Sequence, residues 1–395
     1  MKFKRDEYTK IWDSLNKKQY LLDIIIGPRQ VGKTTAAKEI MSKWAGHVHY
    51  ASADMGLSSG TGWITFQWNQ ARSKPVNKEQ TGLLILDEIQ KIHDWSNTVK
   101  GLWDEDRLLN HNIKVLLLGS SSLLLTKGLT ESLAGRFILH RFTHWTYSEC
   151  KKIFNWDIDK WIYFGGYPGT VQFINEIDSW KQYVNDSLID TVISKDVLSL
   201  QTVNKPALLR NLFSLSAHFP AQILSYNKML GQMHDAGNTT TLAHYLKLLE
   251  SAFLVIGIEN YSGNIIRTKS SSPKLILLNN ALITAFDTKN YIETRKDLVW
   301  WGRLLENAVG AHIINSSQSI STKIMYWRAD NYEVDFVVTS GQKVWAVEVK
   351  SGIPGKLKGM REFCAKYPEA KPVIIGPGGI SFEEFFSSCI QDIFK

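Results

Sequence analysis

The chain has 395 residues, more than one ordinary hydrophobic core accommodates, and this length predicts two or three domains. Its apolar share of 44% is that of a soluble globular protein, and no apolar run reaches the length of a membrane span. The formal net charge of +8 favours a polyanionic partner such as nucleic acid, although the same excess also serves solubility. Three scattered cysteines lack metal-ligating or disulfide spacing. We therefore expect a cytoplasmic protein that does not enter a membrane.

The first chemical motif is LLDIIIGPRQVGKTTAAKEI, in which an apolar strand breaks at Gly27 and a helix-forming stretch begins after Gly32. It matches GxxxxGK[ST], the pattern of a phosphate-binding loop. The glycines let backbone amides face phosphate oxygens, and the helix N-terminus adds the positive end of its dipole. Lys33 is expected to bind the β- and γ-phosphates of ATP, and Thr34 to supply a hydroxyl to Mg²⁺.

Two further apolar strands end in polar residues. LLILDEI ends in Asp87 and Glu88, at the sheet edge where nucleotides bind, so Asp87 is expected to hold Mg²⁺ and Glu88 to polarise the attacking water. VLLLGSSS ends in hydroxyls suited to sensing the γ-phosphate. Arg136, in ESLAGRF, is expected to neutralise transition-state charge within the chain or across a subunit contact. The alternative for Arg136 is a surface salt bridge.

GPRQVGKTT, LLILDEIQ, LLLGSSSLLL and ESLAGRF occur in this order, and residues 1–150 resemble the AAA-type P-loop ATPases of prokaryotes. The resemblance implies an α/β domain with a doubly wound parallel sheet, and ATP and Mg²⁺ as cofactors. It also implies that Ser120 or Ser121 is the sensor. If Arg136 acts across a subunit contact, the protein is a homo-oligomer. The predicted nucleotide-binding residues are Gly27, Pro28, Arg29, Gln30, Val31, Gly32, Lys33, Thr34, Thr35, Ser120 and Ser121.

Residues 151–285 are predicted to form a helical and winged-helix-like domain. Three amphipathic segments, NLFSLSAHF, SYNKMLGQM and TTTLAHYLKLLESAFLV, predict helices, and two apolar strands follow around a Gly-Asn turn. The basic residues of interest are Lys247 on the last helix and Arg267, Lys269 and Lys274 along the strands. Helices followed by a basic hairpin favour a winged helix that contacts DNA, with a packing module as the alternative.

The segment YEVDFVVTSGQKVWAVEVK predicts a hairpin with charged residues on one face. A two-residue turn at Ser340-Gly341 fixes the predicted register. The expected pairs across the hairpin are Asp335 with Ala346 and Glu333 with Glu348. Because like charges directly opposite each other destabilise a sheet, the polar face predicts a divalent cation between the carboxylates.

YEVDF followed by VEVK resembles the Asp and ExK arrangement of PD-(D/E)xK nucleases, with valine where the motif has proline. Residues 286–395 also show the element order α-β-β-β-α-β, which predicts a restriction-endonuclease-like α/β domain. The resemblance implies that Asp335 and Glu348 bind Mg²⁺, while Lys350 orients the water and Glu306 assists the metal. It assigns no role to Glu333.

The sequence thus resembles a prokaryotic family that joins an AAA-type ATPase to a C-terminal domain with nuclease-like motifs. The predicted function is that of an ATP-hydrolysing ATPase that acts on DNA, or alternatively RNA, and carries a Mg²⁺-dependent PD-(D/E)xK-type endonuclease domain, in DNA processing or defence. The alternative is an ATP-switched regulatory or interaction protein whose C-terminal domain binds nucleic acid or a partner without cutting. The predicted catalytic residues are Glu88, Arg136, Glu306, Asp335, Glu348 and Lys350, and the predicted metal ligands are Thr34, Asp87, Asp335 and Glu348.

Overall fold

The computed structural model describes residues 5–18, 20–54, 60–73, 81–120, 132–197, 205–233, 238–263, 272–317, 322–352, 355 and 357–395. The chain divides into two compact units, Met1–Thr143 and His144–Lys395. The predicted middle and C-terminal regions belong to the second unit, and their separation into two domains stays a prediction. Within the described ranges, no helix is long and apolar enough to cross a membrane.

Apolar strands of the first unit form a parallel sheet. The strands are β1 Leu22–Ile26, β2 Val48–Ser52, β3 Gly82–Asp87, β4 Ile113–Gly119 and β5 Phe137–Arg141. The helices are α1 Asp6–Leu15, α2 Lys33–Lys43, α3 Thr61–Ser73 and α4 Trp95–Leu108, with a 3₁₀ turn at Ile89–Lys91. The five strands are ordered β2-β3-β4-β1-β5 and all pair in parallel. The predicted parallel sheet is therefore confirmed.

Apolar side chains cover both faces of this sheet, because successive residues of a strand point to opposite faces. Ile24 lies in one buried cluster with Trp68 of α3. Its neighbour Ile25 lies in a second buried cluster with Ile40 of α2. Burial on both faces leaves the strand ends as the places where the sheet presents polar side chains.

The first part of the second unit is mainly helical. Its helices are α5 Tyr147–Phe154, α6 Ile158–Phe164, α7 Ile177–Gln182, α8 Pro206–His218, α9 Tyr226–Gly231 and α10 Thr239–Ser251. A 3₁₀ segment spans Pro168–Phe173, and π-helical segments span Tyr183–Asp190 and Val192–Val197. The strands are β6 Gln222–Ile223, β7 Val255–Ile258 and β8 Lys274–Leu277, in the antiparallel order β6-β8-β7. The three predicted helices and two predicted strands are all present, and β6 is an additional strand.

The second part of this unit is built on a four-stranded sheet. Its helices are α11 Ala281–Thr284, α12 Tyr291–Lys296, α13 Leu298–Ser317, α14 Lys358–Lys366, α15 Phe382–Ser387 and α16 Ile390–Ile393. Its strands are β9 Thr322–Ala329, β10 Tyr332–Ser340, β11 Lys343–Val349 and β12 Ala370–Ile375, in the order β12-β11-β10-β9. The element order α-β-β-β-α-β, from α13 to β12, is the predicted one.

The turn between β10 and β11 lies one residue later in the chain than the sequence predicts. Ser340 pairs with Lys343, so the turn is Gly341-Gln342 and the predicted turn at Ser340-Gly341 is wrong. Gly341 has a φ of +59°, in the left-handed region that glycine adopts without steric cost. Glycine therefore occupies the first position of the turn.

This shift changes the neighbours of the charged residues. Val337 pairs with Ala346, so the predicted pairing of Asp335 with Ala346 is wrong. Glu333 pairs with Arg328 of β9, and its predicted pairing with Glu348 is absent from the hairpin pairs, which run from Ser340–Lys343 to Phe336–Val347. On the β9 side, a bulge between Val334 and Val337 interrupts the strict alternation along β10.

Candidate functional site

The phosphate loop connects β1 to α2, and both motif glycines are required by the backbone. Gly32 precedes α2 with a φ of +100°, a conformation that other residues rarely adopt. Gly27 lies so close to the chain after β5 that a Cβ atom there would be 2.2 Å from the Phe142 carbonyl oxygen. The N-terminus of α2 at Lys33 supplies the positive end of the helix dipole, as phosphate binding requires.

The Lys33 side chain is held inside the loop. It is 7% exposed, and its Nζ donates hydrogen bonds to the carbonyl oxygens of Gly27 at 2.8 Å and Pro28 at 2.6 Å. Val31 is buried in the apolar cluster around α2, whereas Thr35 is exposed on that helix. Between Lys33 and the strand, Arg29 and Gln30 complete the loop, and Gln30 has a φ of +58°.

Thr34 and Asp87 lie side by side at the carboxyl edge of the sheet. Thr34 Oγ1 donates to Asp87 Oδ2 at 3.2 Å, and the Tyr50 hydroxyl donates to the same oxygen at 3.0 Å. A hydroxyl and a carboxylate are the oxygen ligands that Mg²⁺ prefers, so these residues fit the predicted metal. Burial, and then the Asp87 carboxylate, raise the pKa of Tyr50 well above its ordinary value, which keeps the hydroxyl a donor.

Sequence analysis missed Tyr50, because its contact depends on which strands are neighbours. Strand β2 pairs with β3 in a register that sets Ser52 beside Asp87 and Tyr50 two residues behind. The polar residues of VHYAS, the segment that forms β2, were the available signal in the sequence.

Glu88 directly follows β3 in a left-handed backbone conformation, with a φ of +55°. Its Oε2 accepts a hydrogen bond from Ser120 Oγ at 2.9 Å and another from the side-chain amide of Gln90. Ser120 follows β4, so the ends of two neighbouring strands fix the carboxylate. The structure thus places Ser120 beside Glu88, whereas Ser121 lies outside the described residues. Gln90 was not predicted, although it stands two residues after Glu88 in DEIQ.

Arg136 lies at the other edge of the sheet. It immediately precedes β5, and β5 runs parallel to β1 with Phe137 beside Leu22, so Arg136 is at the amino end of the strands. A five-residue strand is about 17 Å long, which separates Arg136 from the phosphate loop after β1. Its Nε contacts Asp104 Oδ1 at 3.2 Å, and its guanidinium lies 5.5 Å from the Trp103 ring centroid. The geometry does not bring Arg136 to the nucleotide site of its own chain.

The second site is a carboxylate cluster, which we define as Glu306 of α13, Glu333 and Asp335 of β10, and Glu348 of β11. A lysine from β8 enters this cluster. Lys274 Nζ lies 2.7 Å from Glu306 Oε1, 3.4 Å from Glu333 Oε1 and 3.7 Å from Asp335 Oδ1. It also donates to the Asp335 carbonyl oxygen at 3.2 Å, and its side chain is 0% exposed.

Other groups contact several of the remaining carboxylate oxygens of the cluster. Lys350 Nζ contacts Glu348 Oε1 at 2.6 Å, and the Val349 amide donates to Asp335 Oδ2 at 2.8 Å. Arg303, one turn before Glu306, contacts Glu306 Oε2 at 3.3 Å. Glu348 Oε2 is buried and has no hydrogen-bond partner among the described residues.

The pKa shifts follow from burial and from these neighbours. Burial raises the pKa of Glu306 while Lys274 opposes it, and burial together with Asp335 raises the pKa of Glu348. Burial alone would lower the pKa of Lys274, but the carboxylates of Glu306, Asp335 and Glu333 outweigh it and raise that pKa. The cluster therefore keeps the lysine charged.

The predicted nuclease residues are thus brought together, but around a lysine. An ammonium lies within ion-pair distance of three of the four carboxylates, where the sequence analysis expected a divalent cation. Across the described ranges, no group of three or more His, Cys, Asp or Glu residues is placed to hold a metal ion. The arrangement does not fit Mg²⁺, and the assignment of Asp335 and Glu348 as metal ligands stays a prediction.

Lys274, which was counted among the basic residues along the predicted hairpin, is not an exposed charge, because its side chain is buried among carboxylates. Lys247 is exposed on α10, opposite the buried residues Leu242 and Leu249, as its helical spacing predicts. The other two expected contacts, Arg267 and Lys269, lie outside the described residues.

Comparisons with known proteins match three successive parts of the chain. Residues 19–151 match the family model of an AAA domain. Residues 155–291 and 301–387 match two domains of unknown function, DUF8612 and DUF4143. An uncharacterised protein of Mycobacterium tuberculosis is 24% identical over 384 residues, which cover 95% of this chain and 80% of that protein. An uncharacterised protein of Methanocaldococcus jannaschii is 25% identical over 297 residues, covering 70% of this chain and 62% of that protein.

One similar solved structure is the Walker-type ATPase PABY2304 of Pyrococcus abyssi. The match has a TM-score of 0.50 and 14% sequence identity, and it covers 72% of this chain and 96% of that protein. At this identity the match shows the fold alone. Together with the phosphate loop and the parallel sheet, these comparisons show that the N-terminal region has the fold of a P-loop ATPase and matches an AAA domain at residues 19–151. Two domains of unknown function follow it.

Proposed function

We propose that the chain hydrolyses ATP and uses the nucleotide state to control nucleic-acid binding by its second unit. The observation that carries the proposal is the meeting of Lys33, the Thr34–Asp87 pair and Glu88 at one edge of the sheet. These are a phosphate-binding cation, two oxygen ligands and a fixed carboxylate, which are the groups that phosphoryl transfer to water requires.

Each side chain has a separate role in this proposal. Lys33 leaves the carbonyl oxygens of its loop to bind the β- and γ-phosphates. Bound Mg²⁺ supplies positive charge that neutralises the phosphate oxygens, and Thr34 and Asp87 are the residues that would hold it. Glu88 orients and polarises the attacking water, and Ser120 keeps its carboxylate in place.

Arg136 is proposed to act on a neighbouring copy. Its position at the amino edge of the sheet, with a half-exposed side chain, supports a contact across subunits and not within the chain. Its contact with Asp104 is a surface ion pair of low stability, so it can be exchanged for a phosphate at little cost.

The partner is proposed to be DNA, bound through the region from α8 to β8. The winged-helix interpretation is supported by the order of the elements, which is α8, β6, α9, α10, β7 and β8. It is also supported by the sheet order β6-β8-β7. Lys228 of α9 and Lys247 of α10 are exposed there, and the chain carries a formal charge of +8. Contacts of this kind bind phosphates with little base preference.

The C-terminal domain is proposed to bind without cutting. The support is Lys274, whose ammonium is within ion-pair distance of Glu306 and Asp335, two of the carboxylates that a nuclease would use for metal. A Mg²⁺-dependent endonuclease is the second candidate, because Glu348 and Lys350 lie together beside Asp335, as the PD-(D/E)xK resemblance requires.

One experiment tests the proposal as a whole. The purified full chain is incubated with supercoiled, linear and single-stranded DNA and with RNA, in Mg²⁺ or Mn²⁺, without nucleotide, with ATP and with a non-hydrolysable ATP analogue. We expect DNA affinity to differ between the nucleotide states and every substrate to remain intact. Cleavage that Asp335→Asn abolishes would establish the endonuclease instead, and equal affinity in all nucleotide states would contradict the switch.

A further inference from the structure

We propose that Lys274 is a built-in cation that takes the place of a divalent metal in the carboxylate cluster, so that the cluster binds metal only when this lysine is removed. The inference deepens the proposed non-cutting role of the C-terminal domain and rests on it. It assigns to a lysine of the middle region a function that the PD-(D/E)xK resemblance does not contain.

The position of the ammonium carries the inference. Metal–oxygen distances for Mg²⁺ and Ca²⁺ are about 2.0 to 2.6 Å, and Lys274 Nζ is 2.7 Å from Glu306 Oε1. The Asp335 carbonyl oxygen at 3.2 Å and the Glu333 carboxylate at 3.4 Å complete an all-oxygen environment around the nitrogen. A divalent ion bound to the same oxygens would lie within a few ångströms of a positive charge, where repulsion is strong at low dielectric.

The burial of the Lys274 side chain distinguishes this ion-pair cluster from an adventitious contact at the protein surface. It is the first residue of β8, its side chain is 0% exposed, and its Nζ lies 5.1 Å from the centroid of the Phe336 ring. A fully buried lysine is retained only when charges or hydrogen bonds compensate its desolvation, and the cluster supplies that compensation.

The strand that carries Lys274 is fixed to the helix that carries Glu306. Asn307, next to Glu306, accepts a hydrogen bond from the Leu277 amide and donates to the Leu277 carbonyl, both at 2.9 Å. Asn307 also donates to the side chain of Asn280 at 2.9 Å. These contacts hold β8 against α13, so the lysine is delivered to the cluster by rigid elements and not by a mobile loop.

The charge balance of the carboxylate cluster also supports the inference that Lys274 takes the place of a metal ion. The cluster has four carboxylates, and among the described residues the cations that form ion pairs with them are Lys274, Lys350 and Arg303. Removing Lys274 leaves the carboxylates undercompensated and creates the negatively charged oxygen site that hard divalent cations bind. Lys274→Met is therefore expected to create a metal site that the natural chain lacks.

The test measures Mn²⁺ binding by calorimetry and electron paramagnetic resonance on the full chain without nucleotide. All proteins carry Asp87→Asn, which removes the carboxylate ligand of the proposed metal site in the ATPase domain. The natural cluster is expected to take up no Mn²⁺. Lys274→Met is expected to gain one site, and adding Asp335→Asn should weaken that site by at least about tenfold. Lys343→Met, which removes an exposed lysine from the same sheet, is the matched control and should gain nothing.

Each outcome decides the inference. Mn²⁺ uptake by the natural cluster that Asp335→Asn abolishes would overturn it, and so would a folded Lys274→Met protein that binds no metal. If Lys274→Met does not fold, the same Mn²⁺-binding measurement is made on Lys274→Met/Glu333→Gln. This double variant preserves the net charge of the cluster. If the natural chain cleaves DNA while its cluster binds no Mn²⁺, only the proposed function is refuted. If the natural cluster binds Mn²⁺ and the chain does not cleave DNA, only this inference is refuted.

Discussion

At the residue scale, Glu88 is the residue whose role in ATP hydrolysis is easiest to separate from ATP binding. It contacts Ser120 and Gln90 and not the phosphate loop, so Glu88→Gln should leave ATP affinity within a factor of about three while slowing hydrolysis at least about 100-fold. The measurement compares ATP affinity, turnover and the retention of bound nucleotide after gel filtration. Glu105→Gln, which changes an exposed carboxylate of the same unit, is the control and should hydrolyse ATP normally. Normal turnover by Glu88→Gln would show that another group activates the water.

The two sensor candidates can be separated in the same way. Ser120→Ala removes the hydroxyl that donates to Glu88 at 2.9 Å and should lower turnover about tenfold with unchanged ATP affinity, since one hydrogen bond contributes about 1 kcal/mol. Ser121→Ala is the matched comparison and should have the smaller effect. If Ser121→Ala alone slowed turnover, Ser120 would be a structural residue and Ser121 the sensor.

Residue types and local spacing identified the phosphate loop, Asp87 and Glu88, because a phosphate site is built from contiguous segments with special backbone geometry. Lys274 could not be placed in the same way. It stands 59 residues before Glu333 in the chain, and nothing in KLILL shows which sheet edge it approaches. Its only signal was a lysine at the start of a strand that is otherwise fully apolar.

At the element scale, the packing of α14 on β10 leaves no room at one glycine. A Cβ atom on Gly359 would lie 1.9 Å from the Glu333 backbone carbonyl oxygen, which cannot move as a flexible side chain can. Gly359→Ala should therefore destabilise the C-terminal sheet by about 2 kcal/mol. Gly352→Ala is the control, because a Cβ atom there meets no atom within 4 Å.

The measurement for this pair is the midpoint of the C-terminal unfolding transition in urea. A lower midpoint for Gly359→Ala, with Gly352→Ala unchanged, is the expected outcome. Equal midpoints for both variants would mean that α14 is displaced from β10 in solution and that the close approach is not maintained.

The elements themselves were largely predictable, since apolar periodicity set the predicted strands and helices of both units. The hairpin register was not, because Ser340-Gly341 and Gly341-Gln342 are both acceptable two-residue turns by composition. Only the pairing of Ser340 with Lys343 decides between them, and that pairing depends on the whole sheet. The bulge between Val334 and Val337 was likewise invisible to a strict period of two.

At the scale of the whole molecule, nucleic-acid binding by phosphate contacts predicts a steep dependence on salt. Lys228→Glu combined with Lys247→Glu should weaken DNA binding equally for different sequences and reduce the slope of log affinity against log salt by about 2. Fluorescence anisotropy on labelled duplexes at several salt concentrations measures both quantities. Lys371→Glu, on an exposed position of β12, should change neither. An unchanged slope in the double variant would assign the region from α8 to β8 a packing role.

Steady-state ATP turnover by the purified full chain tests the central claim most directly, with Lys33→Ala measured beside it at saturating Mg²⁺ and ATP. Because Lys33 is the phosphate-binding cation of the loop, the natural chain should hydrolyse ATP and Lys33→Ala should retain less than about a hundredth of that rate. Turnover that is absent from the natural chain, or equal in Lys33→Ala, would contradict the account.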